Sequence, residues 1–277
     1  VRKRTVTYYP TILGAIHLVV LYIFIQTIID FPLALIDYFK DTDYLSNPVK
    51  KIALGVGSVV FILYYGYKKA KTKVTDLFPV KFFNPLILIP VAMFLWGAHN
   101  FLDVVNAWVG KQLPPPPWFW ELFNRVFESD YGIYGAIMKV VVIAPIIEEL
   151  IFRGIIMHGL MRNYPKAVAI FFSGLLFALF HLNPWQFPAT FILGMLLGWI
   201  MIRTRNIFAC IAGHAINNGL VLLSVEYWDK ISESPFYLVP KKELLLTSGL
   251  VIALSLILII LLTMKREKRT QESKNIR

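Results

Sequence analysis

This chain of 277 residues has one cysteine, Cys210, and only 16% charged residues. A single thiol excludes a disulfide framework and a cysteine cluster for a metal. Inside an apolar run it reads as a small packing residue. Soluble domains carry about 25% charged residues, so the deficit here excludes an ordinary water-facing surface. Several catalytic signatures are also missing. There is no His-Glu-x-x-His zinc motif, no serine in a Gly-x-Ser context, and only one aspartate, Asp103, well inside an apolar run. Familiar zinc, serine and two-aspartate hydrolytic chemistries therefore have no local motif to stand on. No internal repeat is visible, and the first apolar run looks too long for the apolar region of a cleavable signal.

What is abundant is apolar sequence. Hydrophobic residues make up 57% of the chain and the mean hydropathy is +0.62. Eight runs approach the roughly 20 apolar residues that cross a bilayer. They lie near 12–36, 52–67, 83–109, 134–160, 167–182, 187–202, 206–225 and 243–264. Backbone polar groups must be satisfied within lipid, so each run is expected to be a helix. The expected fold is all-α and polytopic: one integral-membrane domain over 1–277, about eight transmembrane helices around a membrane-embedded cavity.

A net charge of +11 could suggest nucleic acid, but its placement argues for topology instead. With eight spans, both termini share a side with Lys68, Lys69, Lys71, Lys73, Lys81, Arg162, Lys166, Arg203, Arg205 and the basic stretch from Lys265. Acids such as Asp37, Asp41, Glu121, Glu128 and Glu226 gather on the other side. The positive-inside rule then places both termini in the cytoplasm, in what is expected to be the cell membrane, with the bilayer and not nucleic acid as partner. Pro114 to Pro117, followed by Trp118, Phe119 and Trp120, reads as a stiff segment leading into an interfacial aromatic anchor.

Within the fourth run, Glu148, Glu149 and Arg153 place three charges where each costs about 2.5–3.5 kcal/mol or more. Glu149 and Arg153, at i and i+4, form a natural ion pair. Glu148 lies about 100° away around the helix and is left over. Two other runs add polar groups at helical spacing: Phe177 and His181 in the fifth, His214 and Asn218 in the seventh. Each alone has a structural explanation as interhelical glue. Together, a carboxylate, two imidazoles and an amide are the parts for hydrolysis by an activated water. A partly desolvated Glu148 suits a general base, and His181 could share and orient the water. His214 and Asn218 could both donate to a tetrahedral oxyanion. Pro145 is expected to open the helix by leaving the Val141 carbonyl unpaired, which admits water where a cavity receives it. A metal held by Glu148, His181 and His214 is the competing option, since these are acceptable zinc ligands. No cofactor is required if the glutamate works alone.

The short fifth and sixth runs, joined by Leu182 to Pro188, suggest a hairpin that stops within the bilayer beside His181. Gly194 and Gly198 form a G-x-x-x-G packing signal. His99 and Asp103, with Asn100 and Asn106, read as a water-exposed or helix-to-helix polar patch. His17 and His158 have no evident partners.

Glu148-Glu149-x-x-x-Arg153, Phe177-x-x-x-His181 and His214-x-x-x-Asn218, in this order, resemble the CAAX protease and bacteriocin-processing family. These are intramembrane endopeptidases that include the type II CAAX prenyl proteases. The resemblance covers about 134–225, the expected catalytic core. It implies eight helices and a cavity open toward the cytosol. It also implies Glu148 as catalytic carboxylate, His181 as its helper in activating water, and His214 with Asn218 as oxyanion donors. Glu149 and Arg153 would be supporting residues, and the metal question stays open. The implied substrate is a membrane-associated peptide or lipidated protein, in some members a prenylated CAAX sequence. Two further readings remain: a non-proteolytic bacteriocin-immunity or scaffold protein of the same fold, and a proton-coupled transporter. Asn217, beside Asn218, leaves open which amide faces the cavity.

Overall fold

A computed structural model describes residues 7–42, 44, 47–119, 132–227, 230, 231, 233 and 240–275. Trp120, Glu121 and Glu128 lie outside the described residues. Eight long helices occupy the eight predicted runs. They are α1 (Ile12–Lys40), α2 (Pro48–Ala70), α3 (Leu88–Gln112), α4 (132–163), α5 (Lys166–Phe180), α6 (Phe187–Thr204), α7 (Ile207–Glu226) and α8 (Lys241–Asn275). No strand occurs among the described residues. The molecule is a polytopic all-α membrane protein. Helices α1, α3, α6, α7 and the first part of α8 are long and apolar enough to cross a membrane.

The helix ends follow from local chemistry. The side chains of Thr11, Asn47 and Asn206 accept from the first free N–H groups of α1, α2 and α7. Pro48 sits at the first position of α2, where its missing N–H costs nothing. α6 ends at Arg205 in the left-handed region, at φ 48°.

Packing separates lipid-facing from interior faces. On α8, Leu246, Leu250, Leu254, Ile257 and Leu261 point outward. Ser248, Ser255, Ile259 and Thr263, on the other face, are buried, and α8 packs against α3. The interior core gathers Phe152, Ile155, Ile156, Phe177, Leu197, Ile200 and Cys210 around α4 to α7. Cys210 is fully buried, as its apolar setting led one to expect.

Basic loops predicted to share a side do meet at one end. The Tyr8 N–H donates to Asn163 Oδ1 at 2.9 Å, Lys81 N–H to the Arg205 carbonyl at 3.2 Å, and Arg203 Nε to Thr263 Oγ1 at 2.8 Å. At the opposite end the α5–α6 connector docks on the segment after α3. Trp185 Nε1 donates to the Leu113 carbonyl at 2.7 Å, and its ring lies 4.2 Å from that of Phe119.

α4 departs from a plain helix. Two π-helical stretches, Ile137–Ile143 and Leu150–Ile156, flank a six-residue α-helical segment, Ala144–Glu149. Widened turns of this kind recur at functional sites because they re-aim side chains and free backbone carbonyls. Both acidic residues of the fourth run sit in the segment between them.

Candidate active site

Glu148 and Glu149 diverge from neighbouring positions of α4, as a helix requires. Glu149 points inward and is fully buried, as is Arg153. Its Oε1 accepts two hydrogen bonds at 2.9 Å, one from Arg153 Nη1 and one from His214 Nδ1. A charged acceptor makes such bonds roughly twice as strong as neutral ones. The predicted i,i+4 ion pair is therefore present, and His214 of α7 is locked onto it. Arg153 Nη2 also donates to the Gly194 carbonyl of α6 at 3.0 Å, and the guanidinium lies over the Phe177 ring at 4.7 Å. Glu149 Oε2 and Arg153 Nε are buried without a hydrogen-bond partner.

The carbonyl of Gly194 comes so close because α5 and α6 touch backbone to backbone. A Cβ on Gly194 would stand 2.7 Å from Gly174 Cα. The G-x-x-x-G signal thus marks a real close approach, with Gly174 as the partner that sequence spacing did not single out.

Glu148 faces the other way. Its side chain is 17% exposed, and Oε2 is buried without a hydrogen-bond partner. Two imidazoles converge on that oxygen: His181 Nε2 at 3.9 Å and His214 Nε2 at 3.9 Å. The His181 Nδ1–H donates to the Phe177 carbonyl at 2.8 Å. A carbonyl can only accept, so in the neutral ring Nε2 carries the lone pair and faces Glu148. Phe177 walls the group, its ring 4.9 Å from that of His181 and 5.5 Å from that of His214. In the sequence, Phe177 stands out only as sharing a helix face with His181. Its position four residues before that histidine was the available signal.

Asn218 joins from α7, but its amide is partly committed. Nδ2 donates to the Val140 carbonyl at 2.9 Å, and Oδ1 accepts from Asn217 Nδ2 at 3.0 Å. The helix opening expected at Pro145 involves the Val140 carbonyl. In the π-helical register the Ala144 N–H reaches back five residues to Lys139. The next step in that register would pair residue 145 with Val140, and proline has no N–H to give. Asn218 supplies the missing donor.

His99 takes part in a helix-to-helix polar contact, as one of the two expectations for this patch had it: its Nε2 meets Asn217 Oδ1 at 3.2 Å, tying α3 to α7. His17 and His158 lie away from the site. The first packs beside Tyr65, and the second meets the Asp76 carbonyl at 3.1 Å and Arg162.

The donor polarity here suits a metal in one respect, since each Nδ1–H is donated outward and each Nε2 faces Glu148. No three His, Cys, Asp or Glu side chains among the described residues form a group that could hold an ion, however. The arrangement offers a carboxylate oxygen without a hydrogen-bond partner, flanked by two imidazoles and next to a sealed ion pair.

Residues 131–220 match a family model described as type II CAAX prenyl endopeptidase, Rce1-like. The match runs from the start of α4 into α7 and contains Glu148, Glu149, Arg153, His181, His214 and Asn218. Neither a curated protein nor a solved structure matches the chain.

Proposed function

We propose that this chain, whose residues 131–220 match the Rce1-like type II CAAX prenyl endopeptidase family model, hydrolyses a peptide bond of a membrane-associated substrate with a glutamate-activated water. The observation that carries this reading is the convergence of two imidazole Nε2 atoms on the unpartnered Glu148 Oε2, each at 3.9 Å. A structural carboxylate at this depth would be expected to find donors, as Glu149 does.

The roles follow from the polarity of each group. Water bound between Glu148 Oε2 and His181 Nε2 gives up a proton to Glu148 while its oxygen attacks the substrate carbonyl carbon. The developing oxyanion accepts from His214 Nε2–H and from the second N–H of Asn218 Nδ2, the first being held by Val140. His214 can donate from both nitrogens only as an imidazolium, because Nδ1–H is already given to Glu149. Glu148 then returns its proton to the leaving amine as the carbon–nitrogen bond breaks. Products are a carboxylic acid and an amine, with water consumed.

Glu149 and Arg153 act on the reaction only by holding His214. The substrate class is a membrane-associated peptide, with a prenylated CAAX-type C-terminus as its first candidate. Both termini, with the basic loops, face the cytoplasm of the cell membrane.

The test is direct. Purified protein and its Glu148→Ala variant are incubated with a farnesylated CAAX peptide in lipid nanodiscs, and the products are identified by mass. Cleavage by the wild type and none by a folded variant supports the reading. Equal cleavage by both would overturn it.

A further inference from the structure

A chain of polar contacts runs from α3, outside the family-matched segment, to the first π-helical stretch of α4. His99 Nε2 meets Asn217 Oδ1 at 3.2 Å, Asn217 Nδ2 meets Asn218 Oδ1 at 3.0 Å, and Asn218 Nδ2 meets the Val140 carbonyl at 2.9 Å. Each amide in this chain could in principle turn over, since its oxygen and nitrogen are nearly isosteric. One group cannot. The Val140 carbonyl is an acceptor only, and it is available because Pro145 has no N–H for it.

Polarity propagates from that fixed point. Facing a carbonyl, Asn218 must present its NH2. Its oxygen is thereby turned to Asn217, which must answer with its own NH2. Asn217 then offers an oxygen to His99, and His99 must donate from Nε2–H. A reversed amide anywhere along the row would set oxygen against oxygen or N–H against N–H, inside a membrane where few alternative partners exist.

We propose that His99 is a positioning residue for Asn218. By donating Nε2–H to Asn217 it holds the Asn218 amide with its nitrogen, not its oxygen, toward α4 and the reacting carbonyl. The proposal rests on the reading of Asn218 as an oxyanion donor, because only the NH2 end can serve there. It assigns the paired asparagines separate tasks: Asn218 touches substrate, Asn217 sets its orientation. Asp103, one turn beyond His99 on α3, shares that face of the helix.

Two measurements test this together. In protein labelled with 15N-histidine and held in nanodiscs, the His99 ring is assigned by the signal lost in His99→Gln. A proton on Nε2 is expected. A ring protonated on Nδ1 alone would overturn the proposal, whatever the substrate. The second measurement is cleavage of the farnesylated CAAX peptide. His99→Gln keeps a donor toward Asn217 and should keep kcat within about threefold. His99→Phe keeps the ring but not the donor, and Asn217→Asp cannot donate to Asn218.

Both of the latter variants should lower kcat at least about tenfold with KM within about twofold, given that losing an oxyanion donor outright costs about 100- to 1,000-fold. Wild-type kcat in folded His99→Phe would overturn the positioning role. A merely structural His99 would show equal losses of thermal stability in His99→Phe and His99→Gln and no split between kcat and KM. Glu148→Ala run alongside separates the two claims. Cleavage by that variant would sink the hydrolytic reading, and the ring measurement would still decide the orientation of the amides.

Discussion

α4 carries two consecutive glutamates whose surroundings differ in kind. Glu149 is fully buried, and one of its oxygens receives charge-assisted hydrogen bonds from Arg153 and His214. Glu148 keeps partial exposure, and the imidazoles nearest its Oε2 stand at 3.9 Å, beyond hydrogen-bond reach. A helix turn of about 100° is enough to put one carboxylate in a sealed ion pair and its neighbour between two imidazoles that it does not bond. The buried charge is neutralised by short contacts; the charge proposed for chemistry has its neighbours held at a distance that another molecule can bridge.

The largest expected effect breaks the reactive side. Glu148→Gln preserves shape but removes the base, and should lower kcat by about 100- to 10,000-fold, the range of general acid–base catalysis. Thermal stability of the variant in detergent should stay close to that of the wild type, since no hydrogen bond to Oε2 is lost. A large fall in melting temperature would place Glu148 on the structural side of the comparison.

Next comes the sealed side, where stability should respond more than chemistry alone. Arg153→Met leaves Glu149 buried with only His214 for a partner, and breaking a buried pair costs about 3–5 kcal/mol. Arg153→Met combined with Glu149→Gln removes both charges while leaving an oxygen for His214 Nδ1. Thermal unfolding should show the double variant to be more stable than Arg153→Met. Equal loss in both would mean that packing of Arg153 against Phe177 matters more than its charge.

A smaller effect is expected where α6 supports the pair. Gly194→Ala sets a Cβ 2.7 Å from Gly174 Cα and 3.1 Å from its carbonyl oxygen, both backbone atoms that cannot swing aside. Overpacking of this kind costs about 1–3 kcal/mol. The displaced Gly194 carbonyl would also loosen its bond to Arg153 Nη2. Melting temperature and cleavage should fall together, whereas Glu148→Gln separates them.

How far this contrast was legible differs along the chain. The eight helices were readable because each is a sustained apolar run, and α1 to α8 occupy those runs to within a few residues except where α1 and α8 extend beyond the bilayer-length core. The Glu149–Arg153 pair followed from spacing alone. The π-helical register of α4 did not, because a step of five residues instead of four leaves no mark in residue type. That register sets the Val140 carbonyl opposite Pro145, and Asn218 Nδ2 donates to it. The link from His99 to Asn217 was hidden for a different reason: it depends on how α3 packs against α7, and their residues are far apart in sequence. Phe177 was visible as a neighbour of His181, but its contact with Arg153 requires the packing of α5 on α4.

The smallest effect concerns the residue after His181. Leu182 adopts φ 50° at the end of α5 and is 73% exposed. A left-handed conformation costs an L-residue about 1–2 kcal/mol, and glycine avoids most of it. Against this, glycine in the unfolded chain has more freedom to lose, about 0.5–1 kcal/mol relative to alanine. The first effect is the larger, so Leu182→Gly should raise stability by about 1 kcal/mol or less, measured as a small increase in melting temperature. Cleavage should be unchanged, because His181 is held through its own Nδ1–H bond to the Phe177 carbonyl and not through the residue that follows. A rise in stability with a fall in kcat would show that the strained Leu182 sets the distance between His181 and Glu148. The reactive side of α4 would then depend on backbone conformation at the α5 terminus, and the sealed side would remain a matter of charge pairing alone.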